Sequence, residues 1–266
     1  MVPVEPISLT VGAVALASLF SLCVQCFDLI EVGKNLGSDC ELLLTRLSIE
    51  KRRLMIWGEA VGILRPDEDR EPLLDKPETR ELVKRILENL QSLFHEADSL
   101  KSIYGLEKTP GTQGSLNMVV EGSTACSYSF ESSPLVQFQA RFTEYSRKAG
   151  LRAKAKWAIR DSKKFSALVQ KLKDLLDGLG HITTSTRTVI RRDQLIRQET
   201  ESIPDLNMLR AIESTCSDSD WKSYASISST YLQDFGRLST EKRADIQNWV
   251  EISKDPPQTF QRRRNL

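Results

Sequence analysis

The sequence predicts an all-α protein, a helical bundle that opens with an apolar helix. Gly and Pro are sparse, with 13 and 10 copies among 266 residues, and long stretches rich in Leu, Lys, Glu and Arg lack the alternation of β-branched residues that is typical of strands. A hydrophobic fraction of 40% is enough to bury a sizeable core. We expect one helical domain over residues 1–205 and a helical extension over residues 206–266 that can pack on it.

Charge and composition narrow the classes of function. The 37 Lys and Arg balance 36 Asp and Glu, so the chain lacks the overall positive field with which nucleic-acid-binding proteins attract phosphate. His95 and His181 are far apart, and Cys23 and Cys26 lack the second pair of ligands that a metal site needs. No phosphate-binding loop and no nucleophile motif occurs. We therefore expect no enzyme activity, metal, cofactor, small-molecule substrate or nucleic-acid partner.

The first predicted helix is the uncharged, mostly apolar run from Pro6 to Phe27, which is long enough to cross a hydrocarbon core of about 30 Å. Glu5 and the lack of preceding Lys or Arg disfavour a cleaved signal peptide. Three interpretations stay open: a buried first helix of a soluble bundle, a docked helix that inserts on activation, and a permanent anchor. Three small residues, Ala13, Ala17 and Ser21, lie at a four-residue spacing. This spacing would let such helices approach each other closely.

The next two helices follow from apolar residues that recur at three- and four-residue steps. Ser38 or Asp39 is a suitable N-cap for the second helix, which ends before Pro66, and the third begins after Pro77. The expected stripes are Leu43, Leu47, Leu54, Trp57, Val61 and Leu64 on the second helix and Leu82, Ile86, Leu90, Leu93, Ala97, Leu100 and Tyr104 on the third.

Residues 105–134 are rich in Gly, Ser and Thr and predict a loop, in which Leu116–Val120 is the candidate for a short β element. Two helices joined near Asp161 are expected next. The first covers 136–160, and the second ends at the Gly178–Gly180 pair. Helix-like periodicity continues over 205–214, 219–235 and 240–253.

Ten basic residues lie between Arg147 and Lys173 against the single acid Asp161. Such a surface could hold anionic lipid headgroups at about 1 kcal/mol for each well-placed cation. An ordinary solvated helix face is the alternative. The membrane-length apolar run in the same chain favours lipid among the anionic partners. The predicted lipid-facing patch comprises Lys148, Arg152, Lys154, Lys156, Arg160, Lys163 and Lys164.

Two blocks of residues carry a resemblance to a known family. The first block has the order Leu19-Phe20, Cys23, Cys26-Phe27, Gly33, Gly37, Asp39, Glu41, Arg46-Leu47, Lys51, Arg53-Leu54 and Trp57-Gly58-Glu59-Ala60-Val61. The second block has Lys154-Ala155-Lys156-Trp157-Ala158-Ile159 with Asp161 and Lys163. With these blocks, residues 1–205 resemble the fungal HeLo domain (prion-inhibition and propagation) family, the helical domain found in HET-S-like and LopB-like proteins.

The resemblance implies a bundle whose apolar first helix is held in the inactive state and released to insert into membrane, which kills the cell. It also implies a hinge from Gly33 to Gly37, in which Asn35 occupies a position where active and inactive family alleles differ, and a regulatory role for Glu59. The alternative is that the two glycines form a simple turn and that Trp57 and Glu59 pack and cap within the bundle. Residues 205–266 contain one Gly and no repeat, so this segment departs from the pair of β-repeats that carries amyloid control in HET-S-like proteins. The residues implied to insert are Ile7, Val11, Ala13, Leu16, Ala17, Leu19, Phe20, Ser21, Val24 and Phe27.

Two functions remain open. The first is a cell-death executor of heterokaryon-incompatibility type, cytoplasmic when inactive, which moves to anionic cell membrane, oligomerises and permeabilises it. The second is a non-toxic helical module that regulates or pairs with other HeLo-domain proteins while its first helix stays in the core. Self-association or pairing with another HeLo domain is expected under both.

Overall fold

The computed structural model describes residues 6–31, 38–65, 69–108, 135–148, 157–216 and 220–234, with positions 242 and 247. The elements are, in chain order, α1 Pro6–Phe27, β1 Ile30–Glu31, α2 Ser38–Val61, a 3-10 turn Pro72–Asp75, α3 Pro77–His95, α4 Ala97–Ser102, β2 Leu106–Lys108, α5 Val136–Lys148, β3 Trp157–Ile159, α6 Ser162–Ile182, α7 Thr186–Glu201 and α8 Leu206–Thr215, followed by α9 over 220–234. The all-α class is confirmed, with one small sheet among the helices.

Helix α2 lies at the centre of the bundle. It packs against α6, α7 and α8 on one side and against α1 on the other, and Leu54, Ile56 and Val61 are fully buried between them. Two ion pairs fix its polar flank, because Arg52 pairs with Glu199 of α7 and Arg53 pairs with Asp177 of α6. Contacts that do not involve α1 therefore hold most of the core together.

Helix α3 packs against α1 and α6 through a face that only partly matches the predicted one, since Leu90 is buried as predicted. Leu82 is 47% exposed, and Ile86 and Leu93 are only partly buried. The buried stripe is Val83, Leu87, Leu90 and Phe94. Apolar residues at 82, 86 and 93 and at 83, 87 and 94 form two adjacent helical faces with the same spacing. Periodicity alone could not choose between them.

The small sheet replaces the end of a predicted helix. Its strand order is β1-β3-β2, with β1 parallel and β2 antiparallel to β3. The expectation of helix up to residue 160 is therefore wrong, because Trp157 and Ile159 alternate with Ala158 as strand residues that point into the core. Strand β2 is the short β element within 105–134, whereas Leu116–Val120 lies outside the described residues.

A close backbone contact joins the sheet to α6. Gly105 has φ +62°, and a Cβ there would lie 2.5 Å from Cβ of Asp161, so this position requires glycine. Its carbonyl accepts hydrogen bonds from the backbone N–H groups of Arg160 (2.8 Å) and Asp161 (3.1 Å). Asp161 then caps α6 by accepting from the backbone N–H of Lys164 at 3.1 Å. The predicted junction near Asp161 is therefore a strand-to-helix turn.

Helix α6 continues through the Gly178–Gly180 pair to Ile182, contrary to expectation. Leu179 between the two glycines is fully buried, and a Cβ at Gly178 would meet Cδ1 of Ile86 in ordinary contact at 3.4 Å. Packing thus supplies what the glycines lack in helix propensity. The helix ends at the Thr183 turn, before α7 begins at a Ser185–Thr188 capping box.

The C-terminal helices are part of the same packed body. Asp205 caps α8 by accepting from the backbone N–H of Asn207 at 2.8 Å, and Leu209 is fully buried against α2. In α9, Trp221 is buried, and Asp220 pairs with Arg192 of α7 at 2.7 Å. The further helix expected over 240–253 falls almost entirely outside the described residues.

Candidate functional site

The candidate site is the groove formed by α2, α3 and α5, in which α1 lies; we call it the docking groove. Val14 is 53% exposed and marks the solvent side of α1. Ala13 and Leu19 are half-buried. The side chains of Ile7 and Val11, predicted to insert, lie outside the described residues. The other residues predicted to insert are buried in the groove, namely Leu16, Ala17, Phe20, Ser21, Val24 and Phe27.

Phe20 is the central contact of α1. Its ring centroid lies 6.0 Å from that of Trp57 in α2 and 6.0 Å from that of Phe138 in α5, the latter edge to face. Gly58 lets the ring approach the α2 backbone. Trp57 is itself held by a 2.9 Å hydrogen bond that Nε1 donates to Oγ1 of Thr183. One aromatic side chain of α1 therefore engages two walls of the groove.

Gly58→Ala is expected to lower the free energy of unfolding by about 1–3 kcal/mol. The added Cβ would lie 2.5 Å from Cζ and 2.7 Å from Cε2 of Phe20, and Trp57 and Phe138 block the ring's escape. The double variant Gly58→Ala with Phe20→Leu should lose less stability than the sum of the losses in the two single variants, because the shorter side chain clears the new methyl group. Urea unfolding of the four proteins measures this coupling, and strictly additive costs would contradict the contact.

The α3 wall contacts α1 along its length. Near its start, a Cβ at Gly12 would lie 2.9 Å from Nη1 of Arg80. Further along, the Cys23 thiol donates to the carbonyl of Leu87 at 3.1 Å. At its end, the ring centroids of Phe27 and Phe94 of α3 are 5.5 Å apart. The two helices thus run side by side in the same direction, and α1 is held mainly by apolar contact.

Polar contacts with α5 cover the middle of α1. The Ser18 and Tyr145 hydroxyls lie 2.7 Å apart, and both donate to the carbonyl of Val14, at 2.9 and 3.1 Å. Ser21 is completely buried, and its hydroxyl has no hydrogen-bond partner among the described residues. An unpaired buried hydroxyl costs about 1–3 kcal/mol. Among the described residues, Ser21 is thus a polar position of α1 that the groove leaves without a hydrogen-bond partner.

Glu59 joins two walls of the groove. Its side chain is buried at 7% relative exposure and accepts hydrogen bonds from Arg65 and from Nη2 of Arg141 in α5, the latter at 2.7 Å. Because Glu59 follows Gly58, this ion pair lies beside the position of Phe20. The residue implied to be regulatory thus lies where α5 is fastened to α2.

The other predicted site residues are only partly described. The hinge positions Gly33, Asn35 and Gly37 lie outside the described residues, as do the side chain of Lys148 and all of Arg152, Lys154 and Lys156. Of the predicted patch, Arg160, Lys163 and Lys164 are described, and all three are exposed.

Sequence reasoning did not find the α5 wall. Phe138, Arg141 and Tyr145 contact α1 or α2 across 82 to 131 positions of sequence. The sequence of α5 shows an amphipathic pattern rich in aromatic and basic residues. Such a pattern predicts a helix but does not indicate which helices it packs against. The Trp57–Glu59 block was identified, but the close approach at Gly58 was not.

Neither a membrane span nor a metal site occurs among the described residues. None of their helices has both the length and the apolar character of a membrane span. Within the same ranges, no group of three or more His, Cys, Asp or Glu side chains is placed to hold a metal ion. What the groove does is bury one face of an apolar helix.

Comparison with known proteins places the chain in a family. Residues 8–212 match the sequence model of HeLo, described as prion-inhibition and propagation. Heterokaryon incompatibility proteins s and S of Podospora anserina are both 38% identical to this chain, over 104 and 105 residues respectively. Each match covers 38% of this chain. The match spans about a third (35%) of the length of these curated relatives.

Solved structures agree on the fold. The HET-s N-terminal domain superposes with a TM-score of 0.54 at 22% identity, over 80% of this chain and 96% of that domain. A doubly substituted variant of the same domain gives 0.54 at 24% identity, over 80% and 97%. At these identities the likeness establishes the helical architecture, and the family match over residues 8–212 establishes descent. The chain belongs to the HeLo, prion-inhibition and propagation, family.

Proposed function

We propose that this protein is a cell-death executor of heterokaryon-incompatibility type that permeabilises membrane. In the inactive state α1 lies in the docking groove. On activation it leaves the groove, inserts into anionic membrane and oligomerises there. The observation that carries the proposal is an uncharged apolar helix held on one flank of a bundle whose remaining contacts, between α2 and α6, α7 and α8, do not depend on it.

The composition of α1 supports assembly in the bilayer. Ala13, Ala17 and Ser21 lie at a four-residue spacing, which permits close helix packing in lipid. Ser18 and Ser21 could then donate to neighbouring copies, because an unpaired hydroxyl is costly in hydrocarbon. Ser21 already lacks a partner in the groove within the described part of the chain. Exchange of the groove for an oligomer thus offers that hydroxyl a partner that the described part of the bundle does not.

The proposed executor is cytoplasmic when inactive and moves to the cell membrane on activation. Its partners are anionic lipid and further copies of itself or another HeLo-domain protein. The relatives' names, heterokaryon incompatibility proteins s and S, support a role in fungal incompatibility. The exposed cations Arg160, Lys163 and Lys164 support attraction to acidic headgroups.

Val14→Asp is expected to abolish dye release from anionic liposomes while leaving the bundle folded. Val14 is exposed in the docked state, so the carboxylate stays hydrated there, whereas at the centre of an inserted helix it costs about 2.5–3.5 kcal/mol per copy. Leu16 is unsuitable for this test because it is buried. The measurement compares leakage and circular dichroism of both proteins.

Ile190→Asp is the matched control, because Ile190 of α7 is as exposed as Val14, at 53%. It should keep its dye release. If liposomes release dye as fast with the Val14→Asp variant as with the unchanged protein, α1 does not insert and the proposal fails.

A second candidate is a regulatory module in which α1 never leaves the groove. Complete burial of Phe20 and Cys23 favours it, because these residues make α1 part of the core. Deletion of residues 1–30 would then expose apolar surface on α2, α3 and α5 and yield an aggregating protein. A stable, monomeric deletion variant would argue against this candidate.

A further inference from the structure

Exposed cations from three neighbouring segments converge beside the sheet. Lys101 belongs to α4, Arg160 follows β3, and Lys163, Lys164 and Lys171 belong to α6. Lys164 Nζ donates to the carbonyl of Ser102 at 3.1 Å, which places α6 next to Lys101. Lys171 Nζ lies 5.5 Å from the centroid of the Tyr104 ring. We call these five side chains the α4/α6 basic surface; Lys101 and Lys171 extend the predicted patch.

The acids in contact with this surface leave an excess of positive charge. Glu107 pairs with Arg160 at 2.5 Å. Asp161 is occupied as the N-cap of α6, where it accepts from the Lys164 backbone at 3.1 Å. Among the described side chains in contact with it, the five cations thus meet two carboxylates, Glu107 and Asp161, each of which already has a partner. Such an excess of cations attracts an extended anionic surface, such as a layer of acidic headgroups.

The surface adjoins the C-terminal end of α1. The Trp157 backbone N–H donates to the carbonyl of Leu29 at 2.6 Å, and Ile30 pairs with Trp157 in the parallel ladder of β1 and β3. Arg160 follows directly after β3. The opposite end of α1 is distant, because a helix of 22 residues is about 33 Å long.

We propose that the α4/α6 basic surface is a membrane-docking surface that seats the C-terminal end of α1 at anionic headgroups before α1 leaves its groove. The inference rests on the proposed executor function and adds an order and an orientation to it. The occupant is a lipid bilayer, because the surface is spread over separate segments and lies at the foot of the helix that is to insert. Lys101 and Lys171 bind lipid in the docked protein, before insertion.

Lys101→Gln with Lys171→Gln is expected to weaken binding to vesicles of phosphatidylcholine and phosphatidylserine by about 25-fold, at roughly fivefold per cation. Co-sedimentation measures this binding. All variants carry Val14→Asp, so that insertion of α1 does not contribute. Lys84→Gln with Lys222→Gln, exposed on α3 and α9, is the control with the same change in net charge, and it should bind like its parent.

Three results would overturn the inference. Equal loss of binding in both pairs would mean that net charge and not this surface attracts lipid, and unchanged binding in the Lys101 and Lys171 pair would remove the surface altogether. Tight binding of duplex RNA at the same salt, lost in the same pair, would assign the surface to nucleic acid instead. None of these results depends on dye release, so they are separate from a failure of the executor function, which the leakage of Val14→Asp reports.

Discussion

Phe20→Ala is expected to lower the free energy of unfolding by about 3–5 kcal/mol, the usual cost of removing a buried aromatic side chain. Phe20 has no exposed surface, and its ring contacts Trp57 and Phe138 on separate walls of the groove. The cavity should weaken the docking of α1 more than the packing of α2 on α6. Hydrogen exchange followed by mass spectrometry should therefore accelerate in α1 first.

Phe165→Ala is the matched control for that experiment. Phe165 is also fully buried, but it belongs to α6. A similar loss of stability should appear, without preferential exchange in α1. If both variants accelerate exchange in α1 to the same extent, α1 opens only with the whole bundle, and the docking groove is not a separate unit.

Glu59→Gln is expected to lower the free energy of unfolding by about 2–3 kcal/mol, since two charge-assisted hydrogen bonds lose their acceptor charge. We place the cost below the 3–5 kcal/mol typical of a fully buried pair, because Arg65 and Arg141 are partly solvated. The change should loosen α5 from α2. Chemical denaturation measures the cost, and exchange in α5 locates it.

Two further variants make the Glu59 result specific. Glu81→Gln breaks an exposed pair with Arg85 at 3.3 Å on α3 and should cost no more than about 0.5 kcal/mol. Arg141→Gln combined with Glu59→Gln should cost less than the sum of the single changes. A cost for Glu59→Gln as small as that for Glu81→Gln would contradict a fastening role for Glu59.

Much of the architecture could be predicted from local sequence. The uncharged run from Pro6 to Phe27 coincides with α1, and Pro77 starts α3. Both features could be predicted because an uncharged stretch and a proline determine helix bounds within one or two turns of the residues themselves. The failures have a common physical cause. Trp157–Ile159 became a strand, and α6 ran through Gly178, because distant partners decided what local propensity left undetermined.

The site was predictable on one side only. Periodicity and resemblance pointed to α1 and to the Trp57–Glu59 block. They did not reveal Phe138 or Tyr145 as the residues that cover α1, since those contacts join segments more than 110 positions apart. Nor did the sequence show that Val14 is exposed on α1, which depends on how the helix is rotated in its groove.

Insertion of α1 is tested most directly by the depth of position 14 in the bilayer. Val14→Cys, in a protein whose Cys40, Cys126 and Cys216 are replaced by Ser, would carry an environment-sensitive fluorophore. Cys23 and Cys26 remain buried, and Val14 is exposed in the docked state, so labelling should not disturb the groove. The same fluorophore at Ile190→Cys is the control.

If α1 inserts, anionic vesicles with nitroxide groups deep in their acyl chains will quench the fluorophore at position 14 and not the one at position 190. Vesicles that are permeabilised while position 14 stays unquenched would show that the protein acts on membrane without inserting α1, which would contradict the proposed function.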